Sequence, residues 1–166
     1  MIKYLGSKRT LLSEIMSTVQ SLTPAGTVLD LFSGTSRVSQ ALRSRGYQVF
    51  ANDHNAYAAT IARCYVEGDM ARHGAHAQTL IAELNRLPGE PGYFTNTFCE
   101  RSRFFQPRNG ARVDAIREEI ARKGLDPVLE AVLLTSLLEA ADRVDSTVGV
   151  QMAYLKQWSP RSFNSL

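Results

Sequence analysis

The chain has 166 residues, 44% of them hydrophobic and 21% charged, which is enough for one domain with a real core. Its formal net charge of +3 permits a nucleic-acid partner without demanding one. No apolar run approaches the roughly 18 residues of a membrane span, the start carries no signal-peptide pattern, and the two cysteines, Cys64 and Cys99, form no Cys-x-x-Cys pair, so the expectation is a cytoplasmic protein with reduced thiols and no membrane partner.

In chain order, Met1 to Ser7 reads as a short arm containing Tyr4. Leu11, Leu12, Ile15, Met16 and Val19 recur at helical spacing and predict a helix from Lys8 to about Leu22, broken by Thr23-Pro24-Ala25-Gly26. The apolar run Thr27-Val28-Leu29 predicts a strand that enters Asp30-Leu31-Phe32-Ser33-Gly34-Thr35. A helix-compatible run, Ser36 to Arg45, leaves that turn, and a second strand-like run, Tyr47 to Ala51, ends at Asn52-Asp53. Asn55 to Val66 reads as a helix with Tyr57, Ile61 and Tyr65 on one face. Another is expected over Ala75 to Leu87, stopped by Pro88-Gly89-Glu90-Pro91-Gly92.

Tyr93 to Asn109, with aromatics among Arg101, Arg103 and Arg108, has no clean period and reads as a structured loop. Ala111 to Lys123 predicts an amphipathic helix ended by Gly124. Asp126 and Pro127 predict the cap and first turn of a last helix, running to about Val144 and apolar enough to be largely buried. Asp145 to Leu166 reads as a loop-like tail.

Strand, glycine turn, helix, strand and acid form a nucleotide-binding pattern. Asp53 follows Gly34 by about 20 residues, where α/β folds hold a ribose hydroxyl. A dinucleotide cradle would show G-x-G-x-x-G and a phosphate loop would show G-x-x-x-x-G-K-[ST]; neither is present. A turn with one glycine suits S-adenosylmethionine, whose methionine part packs close and whose ribose diol needs a bidentate acceptor.

Three blocks carry a resemblance: Lys3-Tyr4-Leu5-Gly6-Ser7-Lys8, Asp30-x-Phe32-x-Gly34-Thr35 and Asn52-Asp53-His54-Asn55. With Gly92-Tyr93-Phe94 through Asn109-Gly110, and Tyr154-Leu155-Lys156, they make the chain resemble the Dam-type DNA adenine methylases over nearly its whole length. The resemblance implies an S-adenosyl-L-methionine cofactor and a double-stranded DNA partner, with base flipping followed by direct in-line transfer to the adenine amine. It implies that Tyr4 lies against the cofactor and Lys8 pairs with its carboxylate. Phe32 and Gly34, with Thr35 beside them, shape the methionine pocket, Asp53 binds the ribose, and Asp30 orders the turn or faces the cofactor's amino group. Read without the resemblance, Lys8 is a solvated lysine, Asp53 a turn carboxylate, Asp30 a cap and Tyr4 ordinary packing.

The family's Asp-Pro-Pro-Tyr motif, which holds the adenine amine, is absent: no two of the six prolines are adjacent. By resemblance it would follow the region of Tyr154-Leu155-Lys156. The expectation is therefore an incomplete Rossmann-like methyltransferase core with a helical insertion of about 91–159. Residues 1–90 would form the cofactor part and 91–166 a helical, DNA-facing region. No catalytic residue is expected in this chain, and a C-terminal catalytic half or second subunit would complete it. The alternatives are a non-catalytic remnant or partner subunit that binds cofactor or DNA, and a methyltransferase acting on RNA or a small molecule. Arg101, Arg103, Arg108 and Arg112 read either as phosphate contacts or as a solvated surface, with Phe104 and Phe105 anchoring the loop to the core. His73, His76 and Cys64 fit no zinc spacing, so no metal is expected.

Overall fold

The computed structural model describes residues 8–149 and 153–166. A 3-10 turn, Lys8–Leu11, opens into helix α1 (Leu12–Leu22), whose residues Ile15, Met16 and Val19 all turn to one side as their spacing requires. Strand β1 (Thr27–Asp30), helix α2 (Arg37–Arg43) and strand β2 (Gln48–Ala51) follow. The strands pair in parallel, Val28 opposite Val49 and Leu29 opposite Phe50, with α2 as the crossover that parallel neighbours need. Alternation along each strand sends Val28 and Val49 to a face where they pack with Met16, Leu42 and Tyr47. Leu29 and Phe50 point the other way and stand 56% and 55% exposed. Parallel sheets are ordinarily covered on both faces; among the described residues this small α/β unit is covered on one.

Helix α3 (Ala56–Ala62) continues as a π turn, Arg63–Glu67, which carries Tyr65 to Glu139, where its hydroxyl donates at 2.9 Å. Tyr57, one turn before Ile61, stands at the open start of the helix. Ala58, Ile61 and Ala62 are buried, and Tyr57 is half-exposed. Helix α4 (Met70–Leu84) starts five residues before the expected Ala75, because the Asp69 carboxylate caps it by accepting from the Ala71 N–H at 2.8 Å. Its first turn carries little apolar pattern, so spacing alone could not find it. Ala77, Leu80 and Leu84 of α4 form a core with Ile116, Ile120, Leu129 and Leu133.

The segment from Tyr93 to Asn109 is more regular than a loop. It holds a one-turn helix α5 (Tyr93–Thr95), a π turn Asn96–Glu100, and the first residues of helix α6 (Pro107–Arg122). The cause is a distant cap: Asp114 accepts from the N–H groups of Gly92, Phe94 and Thr95, each at 2.8 Å, and from the Thr95 hydroxyl at 2.7 Å. Helix α6 begins four residues before the expected Ala111, with Pro107 in the first turn, where a missing N–H costs nothing.

Helix α7 (Pro127–Val144) is where the sequence places it, and the Asp126 carboxylate accepts from Val128 and Leu129 N–H groups. Most of its residues are buried or partly buried. Leu129, Ala131, Leu133, Thr135 and Val144 face inward, while Leu138 is 40% exposed.

The tail contains a 3-10 turn, Pro160–Phe163, sewn onto α6. Buried Asn109 donates to the Ser162 and Asn164 carbonyls at 3.2 and 2.9 Å and accepts from the Leu166 N–H at 3.2 Å. Buried Asp145 is ion-paired with Arg161 and accepts from the Thr147 hydroxyl at 2.7 Å. Phe105 is 1% exposed and anchors its loop in a core with Cys99 and Val144. Among the described residues no helix is long and apolar enough to cross a membrane.

Candidate functional site

Asp30 ends β1 and Asp53 follows β2, so both carboxylates stand at the carboxyl ends of parallel strands, where α/β sheets place ligands. The ladder continues past the strands: Asn52 N–H donates to the Asp30 carbonyl at 2.8 Å, Ser33 N–H to the Asn52 carbonyl at 2.9 Å, and the Asn52 amide to the Leu31 carbonyl at 3.0 Å. The turn is thereby pinned to the second strand. Gly34 has φ 51° and Ser36 has φ 56°. The left-handed region is open to Gly34 and unfavourable for Ser36, so strain is held at the entry to α2.

Asp53 organises this turn. Its Oδ2 accepts from Gly34 N–H at 2.8 Å and its Oδ1 from Asn55 N–H at 2.9 Å. These backbone bonds, Asn55 first, hold its pKa below the usual 3.8. A carboxylate offers about four acceptor positions, and Asp53 stays partly exposed while it holds the turn, so it remains within reach of a ligand. The turn-carboxylate and ligand readings of Asp53 are therefore compatible.

Asp30 accepts from the Ser39 hydroxyl at 2.6 Å through Oδ2. Lys8 Nζ donates to the Phe32 carbonyl at 3.2 Å. Lys8, Asp30 and Phe32 line one cavity of about 290 Å³, closed below by Val19, Val28 and Val38. Phe32 itself is 74% exposed and Thr35 is half-buried in the same turn. The structure thus gathers Lys8, Asp30, Phe32, Gly34, Thr35 and Asp53 around one turn. Tyr4, with the rest of its block, lies outside the described residues.

A cation and an anion on one cavity, with a second carboxylate behind the turn, are the donor set a zwitterion with a diol requires. Ser33 Oγ and Ser36 Oγ are buried in the turn without a hydrogen-bond partner, so polar capacity there exceeds what the protein uses. These residues fit S-adenosyl-L-methionine. The sequence reading gave Ser33, Ser36 and Ser39 no role, and gave Asn52 only a place in its second-strand block. Their place beside the turn was the available signal.

The four arginines are not one set. Arg112 is an internal clamp, donating to the Leu166, Leu87 and Asn85 carbonyls at 3.1, 2.8 and 3.1 Å. Arg108 donates to the Phe163 carbonyl. Arg103 donates to the Lys156 carbonyl at 3.1 Å and lies 5.0 Å over the Trp158 ring, while Arg101 is exposed. Burial raises the pKa of Cys64, and raises that of Cys99 to about 11 with Asp114 and Glu100 adding to it, so neither thiol is activated. Among the described residues no group of three or more His, Cys, Asp or Glu could hold a metal ion.

Comparison with known proteins gives the family. A family model described as D12 class N6 adenine-specific DNA methyltransferase matches residues 4–166. The chain is 30% identical to Type II methyltransferase M.NlaIII of Neisseria lactamica over 93% of this chain and 49% of that protein. It is 28% identical to Modification methylase StsI of Streptococcus sanguinis over 99% of this chain and 28% of that protein. It is 30% identical to Type II methyltransferase M.CviAII of Paramecium bursaria Chlorella virus 1, over 95% of this chain and 50% of that protein. The chain therefore spans about half the length, or less, of these relatives. No solved structure matches it. The chain belongs to the D12 class N6 adenine-specific DNA methyltransferase family.

Proposed function

We propose that this chain supplies the S-adenosyl-L-methionine site of an enzyme that methylates the exocyclic amine of adenine in double-stranded DNA, as the modification activity of a restriction–modification system. The observation that carries this is the Gly34 turn held by Asp53, with Lys8 and Asp30 on the adjoining cavity. The bound cofactor would supply a sulfonium-activated methyl group. The residues bind and orient it. The partly exposed Asp53 carboxylate takes the ribose diol, Lys8 takes the carboxylate, and the Asp30 oxygen not engaged by Ser39 meets the ammonium. Phe32, Gly34 and Thr35 bound the methionine pocket and Tyr4 covers the cofactor. Residues 1–90 act as the cofactor part and 91–166 as the DNA-facing helical region of an incomplete Rossmann-like core.

The 166 residues contain no adjacent prolines and so no Asp-Pro-Pro-Tyr sequence to accept the amine hydrogens. We infer that the chain alone does not transfer methyl groups and acts with a catalytic half or second subunit. The second reading, a non-catalytic partner that binds cofactor or DNA, rests on the same absence. Ultraviolet cross-linking of methyl-labelled S-adenosylmethionine tests the first part: labelling that S-adenosylhomocysteine competes away is expected, and no labelling would refute it. Methyl transfer to adenine-containing duplex by the purified chain tests the second, and clear turnover would overturn it.

A further inference from the structure

Two helices leave the cofactor turn, and one joint receives both. Helix α2 starts at Arg37, next to the strained Ser36, and its last residue, Arg43, donates to the Tyr65 and Gly68 carbonyls at 3.1 and 2.9 Å. Helix α3 starts beside Asn55, whose N–H donates to Asp53 at 2.9 Å, and runs directly into the π turn Arg63–Glu67. An unbroken α-helix would put Tyr65 one turn beyond Ile61 on the same buried face. The wider π turn carries it to Glu139 on α7, where its hydroxyl donates to Oε1 at 2.9 Å. Gly68 closes that turn, because a Cβ there would lie 2.1 Å from the Cys64 carbonyl. Interruptions of this kind recur at functional sites.

The α/β unit needs such a brace. Its sheet is covered on one face, and Leu31 and Phe32 of the turn itself are exposed. The Ser33 and Ser36 hydroxyls and the Gln40 side-chain amide are buried without partners, so three of the four such groups among the described residues lie along the turn and the start of α2. Unpaired buried groups make this segment costly to hold unaided. Helix α7, by contrast, is anchored in the apolar core through Leu129 and Leu133. Burial pushes the Tyr65 hydroxyl up to about 12, with Glu139 adding to the shift and Arg37 opposing it, so it stays a donor throughout the neutral range.

We infer that Tyr65 and Glu139 are positioning residues for the cofactor turn. Their hydrogen bond fixes the far ends of α2 and α3 on α7, and through those helices it holds Gly34 and Asn55 in place around Asp53. They act through the helices and not on the cofactor itself. Their role in cofactor binding rests on the reading of that turn as the S-adenosyl-L-methionine site; the brace does not.

Native-state amide exchange, followed by NMR without cofactor, tests the brace. The N–H groups of Gly34 and Asn55 report on the turn, and those of Ile116 and Ile120 on the helical core. Tyr65→Phe should speed exchange at Gly34 and Asn55 about fivefold to tenfold and leave Ile116 and Ile120 within about twofold. Glu139→Ala should do the same at the turn, and Tyr65→Phe should add little in that background. Glu139→Gln, whose amide oxygen still accepts, should keep most of the protection. Thr135→Val, which removes a hydroxyl without a partner one turn earlier on α7, should leave both sets unchanged. Unchanged exchange at Gly34 and Asn55 in Tyr65→Phe, or equal acceleration at all four amides, overturns the inference. Affinity for S-adenosylmethionine should fall in Tyr65→Phe by the same factor, and an unchanged affinity with faster exchange overturns the positioning role. Faster exchange at the turn in a chain whose wild type binds no S-adenosylmethionine refutes the cofactor reading and leaves the brace standing.

Discussion

The α/β unit and the helical region handle their polar and apolar groups in opposite ways. In the helical region, most buried or half-buried polar side chains find partners within the chain, the Thr135 hydroxyl on α7 excepted: Asn109 ties down the tail, Asp114 caps α5, and Asp145 is paired with Arg161. Its apolar residues close a core across α4, α6 and α7. The α/β unit has a thinner core around Met16, Leu42 and Tyr47. It leaves Leu29, Leu31, Phe32 and Phe50 more than half exposed and Ser33 and Ser36 hydroxyls buried without partners. The contrast teaches where binding capacity is kept. One region largely satisfies itself and acts as a scaffold; the other clusters two unsatisfied hydroxyls in one turn at its strand ends, where a ligand site would keep them.

The sharpest way to break this contrast is to attack the scaffold. Asp145→Ala removes the carboxylate ion-paired with Arg161 and leaves that guanidinium only the carbonyls of residues 145 and 147, which should cost about 1–3 kcal/mol. Leu133→Ala in the helical core should cost about 2–5 kcal/mol, both read from urea unfolding. Loss under about 0.5 kcal/mol for either would deny the helical region its role as the self-satisfied part.

Gly110→Ala comes next. A Cβ there would sit 2.3 Å from Cys99 Sγ, so about 1–3 kcal/mol of overpacking is expected. Cys99→Ala in the same chain should restore much of it, and additivity of the two losses would contradict the contact.

Asp114→Asn should cost about 1–3 kcal/mol, since three backbone N–H groups lose a charged acceptor. Burial raises the Asp114 pKa and is the largest single influence, but the Thr95 hydroxyl and the N–H groups of Thr95, Phe94 and Gly92 together bring it below 3.8. A depressed carboxylate contributes stability above its unfolded pKa and loses it as pH falls through the folded one. Amide exchange at Phe94 and Thr95 should therefore accelerate only below about pH 3.8, and the Asn variant should lack that step.

Phe50→Ser on the exposed sheet face should change stability by under about 1 kcal/mol, whereas Leu42→Ala beneath the other face should cost about 2 kcal/mol or more. Equal losses would mean that the outer face is packed.

How much of this was legible follows from the distance between partners. Asp53 was readable because its spacing from Gly34 is a property of strand–turn–helix–strand units, and Lys8 because it closes a recognisable block. Strands β1 and β2 and helix α7 announced themselves through apolar runs and the Asp126-Pro127 start. Asp114 and Asn109 were not readable: their partners lie 19 to 57 residues away, and nothing local marks them. The same distance hid α5, whose cap is on α6, and turned Arg112 from a candidate phosphate contact into a clamp on Leu87 and Leu166. The Ser36 conformation was hidden for another reason, since serine gives no warning of a positive φ.

The central claim is that the turn pinned by Asp53, with Lys8 beside it, is a cofactor site. Calorimetric titration of S-adenosylmethionine into the wild-type chain, Asp53→Ala and Lys8→Ala tests it most directly, with thermal melts to confirm folding. The account predicts saturable binding by the wild type and losses of roughly tenfold or more in each variant, as removal of a charged hydrogen-bond partner implies. Wild-type affinity in both variants would contradict it.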